Sequence, residues 1–152
     1  MAHGIILQTQ ADAPAGLLSE WAARRGIGLD TVRVDEHGAF PDPRDPDFVV
    51  ALGSGATAAG GGPDWVEAEI EWLRAADAAA LPVLGICFGA QALAAALGGC
   101  VHKLAKPELG WITVDTLDAA TRRHAAAAAR SADRLFDGFA ARAGLVAVAS
   151  RV

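Results

Sequence analysis

The sequence predicts an α/β fold built on an open, mostly parallel sheet with helices on both faces. Short apolar runs alternate with longer segments of helical periodicity, in the order strand, helix, strand, strand, helix, strand, helix. Glycine and proline fall at the joins between them, where helices should stop and loops begin. No internal repeat, low-complexity tail or linker interrupts this rhythm. In such a sheet, functional residues are expected beyond the carboxyl ends of the strands.

Gly4 to Thr9 is apolar enough for a buried strand. Pro14 suits the first turn of the next helix, where its missing N–H costs nothing. Leu17, Leu18, Trp21 and Ala22 recur at helical spacing, and Gly26 is a stop. Leu29 to Val34 reads as a second strand, with Val32 and Val34 on one face. Gly38 to Pro46 is loop, Phe48 to Leu52 a third strand, and Gly53 to Pro63 a glycine-rich loop. Trp65 to Ala80 reads as a long helix with Val66, Ile70, Leu73 and Ala76 in one stripe and Glu67, Glu71 and Arg74 facing away. Pro82 ends it. Val83 to Ile86 is a fourth buried strand, and Phe88 to Leu97 a helix closing at Gly98-Gly99. Beyond it, Val101 to Leu104, Trp111 to Val114 and Leu145 to Ala149 read as strands, and Thr121 to Arg134 as a helix.

A chain of 152 residues fits one domain. With 53% hydrophobic and 20% charged residues it is globular. A net charge of −5 and no Lys/Arg-rich run argue against nucleic acid or an anionic membrane as partner. Two cysteines make no disulfide framework, and no basic segment precedes the first apolar run as in a signal peptide. Ala78 to Val101 carries no charge over a length that approaches a bilayer span, but Pro82 and four glycines divide it into strand, turn and helix. A soluble, cytoplasmic domain is expected.

The most informative segment is Leu84-Gly85-Ile86-Cys87-Phe88-Gly89-Ala90-Gln91, a Gly-x-Cys-x-Gly turn between a strand and a helix. This is the thiol form of a nucleophile elbow. Such a turn strains the central residue and needs neighbours without a Cβ, which Gly85 and Gly89 provide. It sets the sulfur at a helix N-terminus, where the macrodipole favours thiolate, and leaves the Phe88 N–H to donate to an oxyanion. A buried structural cysteine with packing glycines gives the same five residues; the strand before and helix after favour the nucleophile. Cys100 has no elbow and is expected to be buried and inert.

Pro82 to Gln91 closely resembles the nucleophile signature of the class I glutamine amidotransferases. The resemblance extends to Val49 to Gly55, to Pro63-Asp64-Trp65 and the acidic helix after it, to Leu93 to Gly99, and to Lys106-Pro107-Glu108-Leu109-Gly110-Trp111. It covers Asp47 to Val114 strongly and the first strands weakly. It implies a flavodoxin-like fold and glutamine hydrolysis at a Cys-His-Glu triad, with ammonia passed to an acceptor. By the same resemblance Cys87 is the nucleophile, and the backbone of Phe88 and Ser54 forms the oxyanion hole. Gly53, Gly55, Gly89 and Gln91 then line the glutamine pocket, with no metal and no cofactor.

The family's base is a His followed two positions later by Glu or Asp. His3 is followed at that spacing by Ile5, His37 by Ala39, His102 by Leu104 and His124 by Ala126, and none fits. The reading is therefore one class I amidotransferase-like domain over 1–152, incomplete at its C-terminal end, with weak or absent glutaminase activity. Without a general base the expected loss is about 10²–10⁴-fold. The alternatives are a non-catalytic α/β module that binds a ligand or partner, and a cysteine hydrolase of the γ-glutamyl hydrolase type. The expected partners are glutamine and a synthase. An uncovered sheet end at Leu145, Val146 and Val148 would also drive self-association.

Overall fold

A computed structural model describes residues 1–36, 39–103, 105 and 125–145, the last stretch without its side chains as far as 131. Two compact units divide the chain, Met1–His102 and Lys103–Val152.

In the first unit the order is β1 (His3–Gln8), α1 (Leu17–Arg24), β2 (Gly28–Arg33), a 3-10 turn (Val34–Glu36), β3 (Phe48–Ala51), α2 (Asp64–Ala78), β4 (Val83–Gly85) and α3 (Phe88–Ala96). The strands form one parallel sheet in the order β2-β1-β3-β4, with Ile5 opposite Val49 and Val50 opposite Leu84. The chain leaves β1 toward one side to make β2, then crosses back to make β3 on the other. Right-handed crossovers in opposite directions put α1 and α2 on opposite faces, so the sheet is covered on both. This is the flavodoxin-like arrangement expected from the sequence. The strand order reverses between β1 and β3, and in open α/β sheets the carboxyl ends at such a reversal are where ligands bind.

Two faces of β1 and β3 make the core. Ile5, Leu7, Val49 and Ala51 pack with Val66, Ile70, Leu73 and Ala76 of α2 and with Phe88, Ala92 and Ala96 of α3. Each fully buried Val, Leu, Ile or Phe contributes about 1.5–3 kcal/mol of transfer free energy. The alternate residues Ile6, Phe48 and Val50 are equally buried. There the Phe48 ring lies over Gly4, where an added Cβ would come within 2.2 Å of it.

Four details depart from expectation. Pro14 is not in the first turn of α1, because a separate turn through Ala15 and Gly16 intervenes and the helix begins at Leu17. Leu17 is exposed, since at the first helical position it projects beyond the stripe of Leu18, Trp21 and Ala22. Residues of β4 are half-buried instead of buried, because β4 is the edge of the described sheet. Val101–Lys103 forms no strand, having no described strand to pair with.

All described α-helices end alike. At each C-terminus two N–H groups turn back onto the last turn: Ile27 to Ala22, Leu81 to Ala76, Gly99 to Ala94 and Leu145 to Ala140, each with an inner bond from the residue before. This is the Schellman arrangement, and its pivot is left-handed: Gly26, Ala80, Gly98 and Gly144 have φ of 64°, 57°, 82° and 71°. Gly26 and Gly98 stop their helices where the sequence places the stops.

In the second unit, α4 runs Ala125–Arg142. It continues past the expected limit at Arg134 because Phe136 and Ala140, four residues apart, are both buried and keep helical spacing. The strands expected at Trp111–Val114 and after Leu145, with Val146 and Val148, lie outside the described residues, as do Glu108, His37 and His124. No described helix is long and apolar enough to cross a membrane.

Candidate active site

Cys87 stands between the end of β4 and the first residue of α3, with φ 54° and ψ −111°. Only Cys87 and Ala80 among the described non-glycine residues have positive φ. The turn closes because its flanking residues lack side chains. A Cβ on Gly89 would lie 2.1 Å from the Ala51 carbonyl oxygen, and one on Gly85 would lie 2.7 Å from the backbone of Ala90. The first turn of α3 thus packs backbone to backbone on β3, and the Gly89 N–H donates to Leu52 O at 3.1 Å and to Ile86 O at 3.0 Å. Behind it the buried Phe88 ring meets Trp65 edge to face at 5.5 Å between centroids.

The strain holds the thiol outward: Cys87 is exposed. Gln91 lies one turn along α3, its N–H donating to Cys87 O, and it is exposed as well. The loop after β3 approaches from the other side. A Cβ on Gly53 would lie 3.4 Å from Cys87 Cβ and 3.9 Å from its Sγ. The N–H groups of Phe88 and Ser54 have no acceptor among the described residues. The Ser54 hydroxyl accepts from the Ala56 N–H at 3.0 Å, and the Gly55 N–H donates to Gln10 Oε1 at 2.9 Å. The structure therefore brings Gly53, Ser54, Gly55, Cys87, Phe88, Gly89 and Gln91 to one end of the sheet, at the carboxyl ends of β3 and β4.

A family model for glutamine amidotransferase class-I matches residues 22–138, more than half of the chain. The chain belongs to the class I glutamine amidotransferases. It is 39% identical over 89 residues to the glutamine-hydrolysing GMP synthase of Thiobacillus denitrificans, covering 54% of this chain and 17% of that one. It is 34% identical over 96 residues to one subunit of the glutamine-hydrolysing GMP synthase of Sulfolobus acidocaldarius, covering 60% and 47%. The amidotransferase chain thus spans less than half the length of either curated relative. The crystal structure of a glutamine amidotransferase from Methylobacillus flagellatus superposes with a TM-score of 0.57 at 28% identity, over 64% of this chain and 39% of that one.

The two described histidines bring nothing to the thiol. His3 opens β1 at the opposite end of the sheet, where its Nε2 lies 3.0 Å from Asp30 Oδ2. His102 is exposed beyond α3, and no hydrogen bond joins Cys87 to a described histidine. Cys100 corrects an expectation: it is exposed and not buried, because the turn at Gly98-Gly99 releases the chain outward.

Sequence reasoning missed two features. Glu69, on the buried side of α2, is fully enclosed, and among the described residues neither carboxylate oxygen has a hydrogen-bond partner. Burial raises its pKa to about 8, so the carboxyl is held neutral at pH 7. Its i+3 and i+4 neighbours Trp72 and Leu73 are also buried; that stripe is the signal that was available. Thr9 and Gln10, which follow β1 directly, are the other.

Proposed function

We propose that this chain carries the thiol half of a glutaminase site, with glutamine as substrate. The observation that supports this most is the backbone of Cys87, an exposed thiol in a left-handed conformation that two backbone-packed glycines hold in place. A non-glycine residue is kept in such a conformation at a cost of about 1–3 kcal/mol, and that cost is characteristic of functional sites.

In the proposed reaction the Cys87 thiolate attacks the γ-carboxamide carbon of glutamine. The new C–S bond puts negative charge on the carbonyl oxygen, which the N–H groups of Phe88 and Ser54 receive. Collapse expels ammonia and leaves a γ-glutamyl thioester, which water hydrolyses to glutamate. Gln91, with Gly53, Gly55 and Gly89, lines the pocket. Forming the thiolate releases a proton and expelling ammonia takes one up, so both need a proton carrier, and no histidine has the family's spacing to an acidic residue. The chain alone is therefore expected to acylate slowly and turn over about 10²–10⁴-fold below a complete site. The names of the GMP synthase relatives support a synthase partner as the acceptor of the ammonia. Two exposed free thiols fit a reducing, cytoplasmic setting.

The test is labelling of purified chain with a glutamine-mimicking chloroketone, whose ketone takes the place of the γ-carboxamide, read by peptide mapping. Cys87 is expected to be modified ahead of Cys100, and glutamine to protect it. Equal modification of both thiols, unaffected by glutamine, would leave a non-catalytic module as the better reading.

A further inference from the structure

The loop that faces Cys87 is held in part from outside itself. It is pinned from the end of β1 by two side chains. The buried Thr9 donates its hydroxyl to Gly53 O at 2.8 Å. Gln10 accepts the Gly55 N–H at its Oε1 at 2.9 Å, while its Nε2 donates to Asp12 Oδ1 at 2.7 Å. Beneath them Gln8 Nε2 donates to Gln10 O at 2.8 Å, which fixes the backbone that presents both anchors.

The two bonds grip successive peptide units on either side of one residue. The Gly53 carbonyl and the Ser54 N–H belong to a single planar trans peptide, so they point in opposite directions. Thr9, by holding that carbonyl, fixes the direction of the Ser54 N–H. Gln10 holds the next peptide through its N–H and stops the loop from rotating about Ser54. Among the described residues the Ser54 N–H, which lies between the two anchors, has no acceptor. Glycines on both sides of Ser54 make the segment conformationally permissive, so without anchors it would populate many orientations. We propose that Thr9 and Gln10 are positioning residues, orienting the 53–55 loop so that its free N–H serves the carbonyl oxygen of a substrate attacked by Cys87. This rests on the proposed glutaminase reading.

Two alkylating reagents separate the effect. With the glutamine-mimicking chloroketone, the sulfur adds to the carbonyl and its oxygen becomes anionic; the sulfur then shifts to the adjacent methylene as chloride leaves, the first C–S bond breaks and the carbonyl re-forms, giving the thioether. Iodoacetamide reacts by direct displacement of iodide and develops no oxyanion. The ratio of the two rates at Cys87, measured on the full chain carrying C100A, reads the loop independently of thiol reactivity. Loss of a direct oxyanion donor typically costs about 10²–10³ in rate, and loosening the peptide that carries one is expected to cost about tenfold. Thr9→Val and Gln10→Leu should each lower the ketone rate about tenfold, with iodoacetamide within about twofold of wild type, and Thr9→Ser should restore it. An unchanged ratio in both variants, while wild type prefers the ketone, would overturn the positioning role and leave the catalytic reading standing. A parallel fall with both reagents that Thr9→Ser does not reverse would overturn it as well. A wild-type chain with no ketone preference would overturn the catalytic reading and this proposal together.

Discussion

The C-terminal end of α2 and the start of α3 each contain a non-glycine residue with nearly the same backbone angle, φ 57° at Ala80 and φ 54° at Cys87. Their surroundings differ. Ala80 is exposed at the pivot of a helix end, a place glycine fills at three other ends in this chain. Cys87 is held by two glycines whose missing side chains admit the backbone of β3 and α3. A positive φ is thus incidental in one place and enforced in the other. A positive φ carries information when its neighbours have been emptied to maintain it.

The strongest way to break this contrast is to refill one of the emptied positions. Gly89→Ala puts a Cβ against the Ala51 carbonyl, and neither backbone can yield. The expected loss is about 3 kcal/mol or more, at the top of the range for overpacking, and thermal unfolding should reveal it as a chain that melts far below wild type or fails to fold. A melt within a degree or two of wild type would show that the elbow is loosely packed.

Inside α2 a different cost is avoided, by proton uptake and not by packing. Glu69 has a folded pKa of about 8 against an ordinary 4.5, so the folded state binds the proton more tightly. Its contribution is fully present below about pH 4.5 and is lost as pH rises through about 8, at up to about 1.4 kcal/mol per pH unit in between. Denaturant titrations should show the wild type weakening relative to Glu69→Gln from pH 5 to pH 8. Parallel curves would mean that the carboxyl is solvated or paired.

The smaller tests bear on the two strained residues themselves. Ala80→Gly should stabilise the chain by about 1 kcal/mol, the left-handed penalty less the added freedom of the unfolded glycine. Cys87→Gly should give a similar gain in chemical denaturation while removing the principal site of ketone labelling. A loss of stability at Cys87→Gly would mean that the thiol, and not the turn, holds the elbow together. Smallest of all, Cys100→Ala should leave stability within about 0.5 kcal/mol of wild type, as is usual for exposed positions.

Much of this was legible in the sequence. The four parallel strands, the buried stripe of α2 and the glycine stops after α1 and α3 follow from periodicity and composition. Cys87 was legible because an elbow is a local device, written in Gly85, Gly89 and the apolar strand before them. Thr9 and Gln10 were not, since their partners lie over forty residues away and only the strand order brings them together. The burial of Glu69 was hidden because a charged residue on a helix reads as solvent-facing. The exposure of Cys100 was hidden because an apolar residue after Gly-Gly reads as the start of a strand.

The helix ends have a consequence in time. Each is specified within six consecutive residues, so where a helix stops depends on no contact with a distant part of the chain. Helix growth takes nanoseconds per residue, whereas a parallel sheet must wait for loops to close between separated strands. The stops are thus in place early, and at α1 and α2 they turn an apolar residue, Ile27 or Leu81, back toward the core. Pairing of β1 with β3 across more than forty residues then joins segments whose lengths are already set. Where the chain turns left-handed thus marks, from within the chain itself, where each of these helices ends.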